Sequence, residues 1–88
     1  MKKVNFNELE KMSYETGKEF LLSAGYVQKN SAVDEKEDYS INDEYYTLFN
    51  EEDEIIHEVS YVTYTKNQTN DEPIYINEEN NHWSEIPQ

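Results

Sequence analysis

Tyr45-Tyr46-Thr47-Leu48-Phe49, then Asn50-Glu51-Glu52-Asp53-Glu54, then Ile55-Ile56-His57-Glu58-Val59-Ser60-Tyr61-Val62-Thr63-Tyr64-Thr65, follow one another without a break. The two outer runs are rich in aromatic and β-branched residues, the composition of a pleated, half-buried surface. The middle run is polar and of hairpin length. Alternation along 55–65 puts Ile55, His57, Val59, Tyr61, Thr63 and Thr65 on one face. Ile56, Glu58, Ser60, Val62 and Tyr64 fall on the other. This stretch predicts an antiparallel hairpin with 55–65 as its central strand.

Outward from the hairpin, Lys66 to Glu72 is polar, and Pro73-Ile74-Tyr75-Ile76-Asn77 predicts a third strand over 74–77, with Pro73 suited to a strand start or an edge. On the other side, residues 30–44 hold Asp34, Glu35, Glu37, Asp38, Asp43 and Glu44 with few apolar residues. They predict an acidic loop, with a short strand allowed around Tyr39–Ile41. The tail 78–88 has no period; Trp83 and Ile86 are its large apolar residues, and it is expected to dock on the domain or hang free.

The N-terminal third has helical spacing: Phe6, Leu9, Met12, Ser13, Thr16, Phe20 and Ala24 lie on one stripe, with Leu21 beside them. Asn5 is a good N-cap with Glu8 three residues on, Val4 and Leu9 suit a hydrophobic staple, and Gly25 suits a C-terminal stop. Gly17 costs about 1 kcal/mol relative to Ala inside a helix. The expectation is one helix over about 5–24 with a weak point at Gly17. The alternative is a short first helix and a second over 17–24, since Thr16-Gly17-Lys18-Glu19 is itself a capping box. The fold class is therefore α+β: a single small domain over 1–88, an N-terminal helix packed on a three-stranded antiparallel β-meander in two layers.

Composition bounds the function. The 88 residues hold 7 Lys and no Arg against 20 Asp plus Glu, for a net charge of −13. A mean hydropathy of −1.07 leaves a thin core, and the 8 Tyr, 3 Phe and 1 Trp must supply much of its buried area. Zero Cys removes disulfides, thiolate catalysis and Cys-ligated metals. Met1-Lys2-Lys3 is followed by no apolar run, so no signal peptide is expected, and no stretch approaches the ~18 apolar residues of a membrane span. A cytoplasmic protein without cofactor or membrane partner is the expectation. Lys without Arg, with abundant Asn, Ile, Tyr and Glu, matches AT-rich coding sequence.

Chemistry-bearing motifs are sparse. His57 and Glu58 are neighbours on a strand and point to opposite faces, so they do not form an acid–base pair on one substrate. Asp38, Ser40 and Asn42 alternate like the start of a calcium loop, but Asp43 stands where the turn glycine is needed and Phe49 where the bidentate Glu should be. Neither a catalytic residue nor a metal site is predicted, and an enzymatic role is not expected.

The charge itself is uneven. Residues 1–30 carry +1, whereas residues 31–88 carry −14. Acids solubilise a marginal protein and discourage edge pairing, but an excess of this size also repels itself. Its concentration on the sheet half predicts a surface shaped for a basic protein. Asp34, Glu35, Glu37 and Asp38 on the long loop, Glu51, Glu52, Asp53 and Glu54 on the hairpin tip, and Asp71 and Glu72 on the next loop are the candidate partner-binding residues. Tyr45, Tyr46, Tyr64 and Tyr75 are candidates for stacking contacts beside them. In size, acidity and lack of Cys the chain resembles the small DNA-mimic inhibitors that phages use against nucleic-acid-handling enzymes. That resemblance implies a basic nucleic-acid-binding enzyme as partner and no direct contact with nucleic acid. The competing expectations are a small structural domain, homodimeric through an edge strand or tail, whose acidity serves solubility only, and a small-molecule or cation-binding domain with the long loop as its site.

Overall fold

A computed structural model describes residues 3–29, 31–36, 39–66, 74–75 and 81–87. The architecture is α+β: two short helices lie against one antiparallel sheet. Its spine is the predicted hairpin, made of β3 (Tyr39–Phe49) and β4 (Ile55–Lys66), which pair from Tyr39↔Lys66 to Phe49↔Ile55. A register shift at Leu48/Phe49 marks a bulge beside the turn. Both outer edges of this ladder are covered piecewise. On the β3 side lie β1 (Val27–Gln28) and β2 (Ala32–Glu35); on the β4 side lie β5 (Ile74–Tyr75) and β6 (His82–Glu85).

The three-stranded meander is thus an undercount, with six strands among the described residues. The acidic loop over 30–44 is corrected as well. Residues 32–35 and 39–44 are strand, because the long partner Ile55–Lys66 offers ladder positions to them despite their polarity. Tertiary pairing overrides weak intrinsic β preference here. Part of the tail 78–88 is sheet, since His82–Glu85 pairs with Val59–Val62. Residues 76–77 of the expected third strand lie outside the described residues.

The single helix over 5–24 is also corrected. Helix α1 spans Phe6–Leu9 and α2 spans Tyr14–Ser23. The break falls at Ser13, not Gly17. The Ser13 side chain accepts the Thr16 N–H, so it starts a new helix instead of continuing the old one. Asn5 caps α1 as expected, its side chain accepting the Asn7 N–H at 2.9 Å. At the far end Gly25 takes φ 97°. The Gly25 N–H bonds the Leu22 carbonyl and the Tyr26 N–H bonds that of Leu21, the paired bonds of a Schellman stop. Leu21 and Tyr26 are both buried, which adds the apolar contact that accompanies the motif.

Register and pleat place Tyr46, Leu48, His57, Val59, Tyr61 and Trp83 on one face, and the helices cover it. The core is Leu9, Leu21, Tyr26, Tyr46, Leu48, Val59 and Trp83, with Phe6, Met12, Tyr14 and Phe20 packed around it. Trp83 is its centre: its ring meets Tyr61 at 4.8 Å, Tyr46 at 5.7 Å and Tyr14 at 6.3 Å between centroids. Among the described residues the helices pack on that first face only; the opposite face carries Tyr45, Thr47, Ser60, Val62 and Tyr64, of which Thr47, Ser60 and Val62 are buried. No helix of the described residues is long and apolar enough to cross a membrane.

Gly17 sits inside α2 because the Trp83 indole lies against it. A Cβ there would stand 2.5 Å from Cζ2 of Trp83. Gly17→Ala is therefore expected to lower stability by up to about 2 kcal/mol, since an overpacking cost of roughly 1–3 kcal/mol is set against a helix-propensity gain of about 1 kcal/mol. Urea unfolding midpoints of the two proteins measure it; a stabilised variant contradicts this packing.

Candidate interaction surface

The acidic turn is built by Asn50. Its Oδ1 accepts the Glu52 N–H at 2.8 Å and the Glu54 N–H at 2.9 Å. Its main chain bonds both ways, the Asn50 N–H to the Glu54 carbonyl and the Asp53 N–H to the Asn50 carbonyl. Asp53 adopts the left-handed region at φ 62°, which aspartate tolerates better than most residues. One side chain thereby fixes the connection, and Glu51, Glu52, Asp53 and Glu54 all project into solvent from it. Among the described residues none of the four has a cationic partner.

Asp34 and Glu35 lie on β2, exposed, with Asp34 bonded to Lys36 at 3.0 Å. Side-chain and Coulombic contact with Asp34 holds the Lys36 ammonium above its usual value. The structure does not bring this pair to the turn. Asp34 stands opposite Ile41, nine ladder positions from Asn50. At ~3.3 Å per residue the two clusters are roughly 30 Å apart. That exceeds the ~8 Å screening length at physiological salt, so they act as separate charges. Glu37, Asp38, Asp71 and Glu72 lie outside the described residues, as does the side chain of Tyr75. Tyr46 is corrected: it is fully buried in the core and unavailable for stacking. Tyr45 and Tyr64 are half-buried on the helix-free face, with Tyr64 stacked on His82 at 6.3 Å.

Two further polar clusters were not singled out by sequence. Glu44 receives the Tyr14 hydroxyl at 2.9 Å, the Gln28 amide at 2.9 Å and the Tyr46 hydroxyl, with Lys18 at 4.0 Å. This carboxylate ties α2 to the sheet. The second cluster centres on His57, which is 4% exposed. The Val4 N–H donates to the Tyr26 hydroxyl at 3.1 Å. That hydroxyl shares a hydrogen bond with Nδ1 of His57, while Nε2 bonds Glu85 at 2.7 Å. Facing the Glu85 carboxylate, Nε2 is the donor of that bond. Lys3, Ile56, His57, Glu85, Ile86 and Pro87 line a cleft of about 400 Å³ here. Both ring nitrogens are already engaged, so the imidazole joins the N-terminus, β4 and β6 and has no nitrogen left for a substrate. Among the described residues no three His, Asp or Glu side chains converge as a metal site requires.

Charge neighbours and burial set the tyrosines. Burial first, then the hydrogen bonds with Glu44 and Tyr14, raise Tyr46 far above the ordinary tyrosine range. Burial raises Tyr26, opposed by the Val4 N–H and aided by Glu85, and burial with Tyr14 raises Tyr61. A group whose folded value is raised binds its proton more tightly when folded. Its stabilising contribution is therefore present below the unfolded value of about 10 and is lost as pH climbs from there through the folded values. Urea midpoints are expected to stay level up to about pH 10 and then fall steeply, by up to roughly 1.4 kcal/mol per pH unit for each such tyrosine. In Tyr46→Phe the protein is less stable at neutral pH and the alkaline fall is shallower.

No protein-family model, no curated protein and no solved structure matches this chain.

Proposed function

We propose that this protein is a non-enzymatic cytoplasmic interaction protein that presents acids on a rigid sheet to the basic surface of a nucleic-acid-handling protein, in the manner of a DNA mimic. The supporting observation is the Asn50-pinned turn, which holds four exposed carboxylates, without a cationic partner among the described residues, at one end of the long hairpin. A flexible polyanion loses ordering entropy on binding; a turn whose main chain is already fixed loses less of it. Dimensions agree with this reading. The chain is 47 Å long. Duplex of that length carries ~28 phosphates at one per ~1.7 Å, so the net charge of −13 here is about half that of the duplex it would displace. Tyr45 and Tyr64 on the helix-free face add aromatic contact area of the kind interfaces favour.

Capture from a host lysate on immobilised protein, eluted along a salt gradient, tests the reading. The expected outcome is one nucleic-acid-binding protein retained at moderate salt and displaced by duplex DNA. Retention of only abundant basic proteins at low salt would leave the acidity as a solubility device. Two variants refine the site. Glu51→Gln, Glu52→Gln, Asp53→Asn and Glu54→Gln together are expected to raise the urea midpoint slightly by relieving repulsion, and to weaken partner binding. Asn50→Ala keeps the charge but releases the turn; it weakens binding too if fixed geometry matters, and leaves it unchanged if charge alone does.

A further inference from the structure

We propose that His57 makes the N-terminal segment a pH-sensitive latch, in which a second ring proton expels the Val4 N–H from Tyr26 and frees residues 3–4. The latch is independent of the acidic turn and of any partner bound there.

Each hydrogen in the chain of bonds has one place to go. With Nε2 donating to Glu85, a neutral ring keeps its lone pair at Nδ1. The Tyr26 hydroxyl then gives its hydrogen to Nδ1 and takes the Val4 N–H on its oxygen. Every donor has an acceptor, as a ring only 4% exposed requires. A second proton enters at Nδ1 and turns that atom into a donor. Both hydrogen-bond neighbours of the Tyr26 hydroxyl among the described residues are then donors, and its own hydrogen has no acceptor left. A buried donor without an acceptor is unfavourable. Withdrawal of the Val4 N–H lets water enter and take the phenolic hydrogen.

Charges around the ring push the same way. Glu85 on β6 faces Nε2 at 2.7 Å and supports an imidazolium once it forms. Lys3, on the segment that leaves, lines the same cleft with a like charge. Across the ladder on β3 stands Leu48, which has no charge, and Glu58 lies on the opposite face, bonded to Thr47. Val4 itself packs against the core, and that contact keeps the latch shut while the ring is neutral. Strand β6 has no share in the exchange: the Ile86 N–H bonds the Glu58 carbonyl at 2.9 Å. The latched form excludes a ring proton that the released form accepts, so falling pH favours release. Release opens the cleft of about 400 Å³ on its Lys3 side.

The test reads two signals on the isotopically labelled full chain from about pH 8 to pH 5, the interval in which histidine switches operate. Ring nitrogen shifts report protonation of His57; amide-exchange protection, corrected for intrinsic rates, reports the Val4 N–H. Val4 protection is expected to fall about tenfold or more with the same midpoint as the ring, the effect of one buried donor left unpaired. Protection of the Ile86 amide should hold within about twofold, since the opening is local. Glu85→Gln keeps an acceptor for Nε2 but removes the charge, and its midpoint should need a proton concentration about threefold higher. In Tyr26→Phe the Val4 amide is unprotected throughout and its pH dependence disappears. A ring that titrates with no change at Val4 overturns the proposal, as does a ring still neutral at about pH 5. So does joint loss of Val4 and Ile86 protection, which is general acid unfolding, or a Glu85→Gln midpoint that does not move toward acid.

Discussion

The seat of Trp83 on Gly17 is the contact on which the rest of the molecule depends. Trp83 arrives on β6, near the end of the chain, and its indole occupies the space a side chain at position 17 would fill. Around it stand Tyr14 from α2, Tyr46 from β3 and Tyr61 from β4. One residue thus joins both layers of the fold and both sides of the hairpin. In a chain with so few aliphatic residues, this aromatic centre supplies area that a conventional Leu and Val core would have supplied. It also explains why a helix accepts a glycine at a real cost in propensity.

Around that centre, polar side chains finish the assembly. Glu44 gathers hydroxyl and amide donors from α2, β1 and β3, while His57 links the N-terminal segment, through Tyr26, to Glu85 on β6. Burying such groups is costly unless each donor and acceptor is matched, and here they are matched in chains. Acids thus serve two purposes in this molecule. Glu44 and Glu85 hold layers and strands together. Glu51 to Glu54 occupy a turn that Asn50 builds, with the Glu54 carboxylate accepting from the Asn50 side-chain amide, and they stand exposed.

Hairpin and helix signals were legible because they are local. The alternation of 55–65, the polar connection 50–54, the Asn5 cap and the Gly25 stop each depend on a few neighbouring residues. The helix break was written in the chain too, as Ser13 with Glu15 two residues on, but the longer apolar period masked it. Of the strands within 30–44 and 82–85, a short one around Tyr39–Ile41 was legible and the rest were not, since their residues are polar and pair only because β3 and β4 are long enough to receive them. Acidic residues 34–35 and 51–54 were visible as charge; their separation by roughly 30 Å follows from ladder register, which no local pattern encodes.

What the sequence by itself determined is the class of the fold, the central hairpin and the sign and uneven spread of the charge, since composition and short-range period carry these. Only the tertiary structure decided which tyrosine is buried, why position 17 is glycine, and that His57 lies between Tyr26 and Glu85. The physical reason is common to all three. Each depends on residues far apart in the chain meeting at van der Waals or hydrogen-bond distance, and that is fixed by packing and register once the whole sheet has formed.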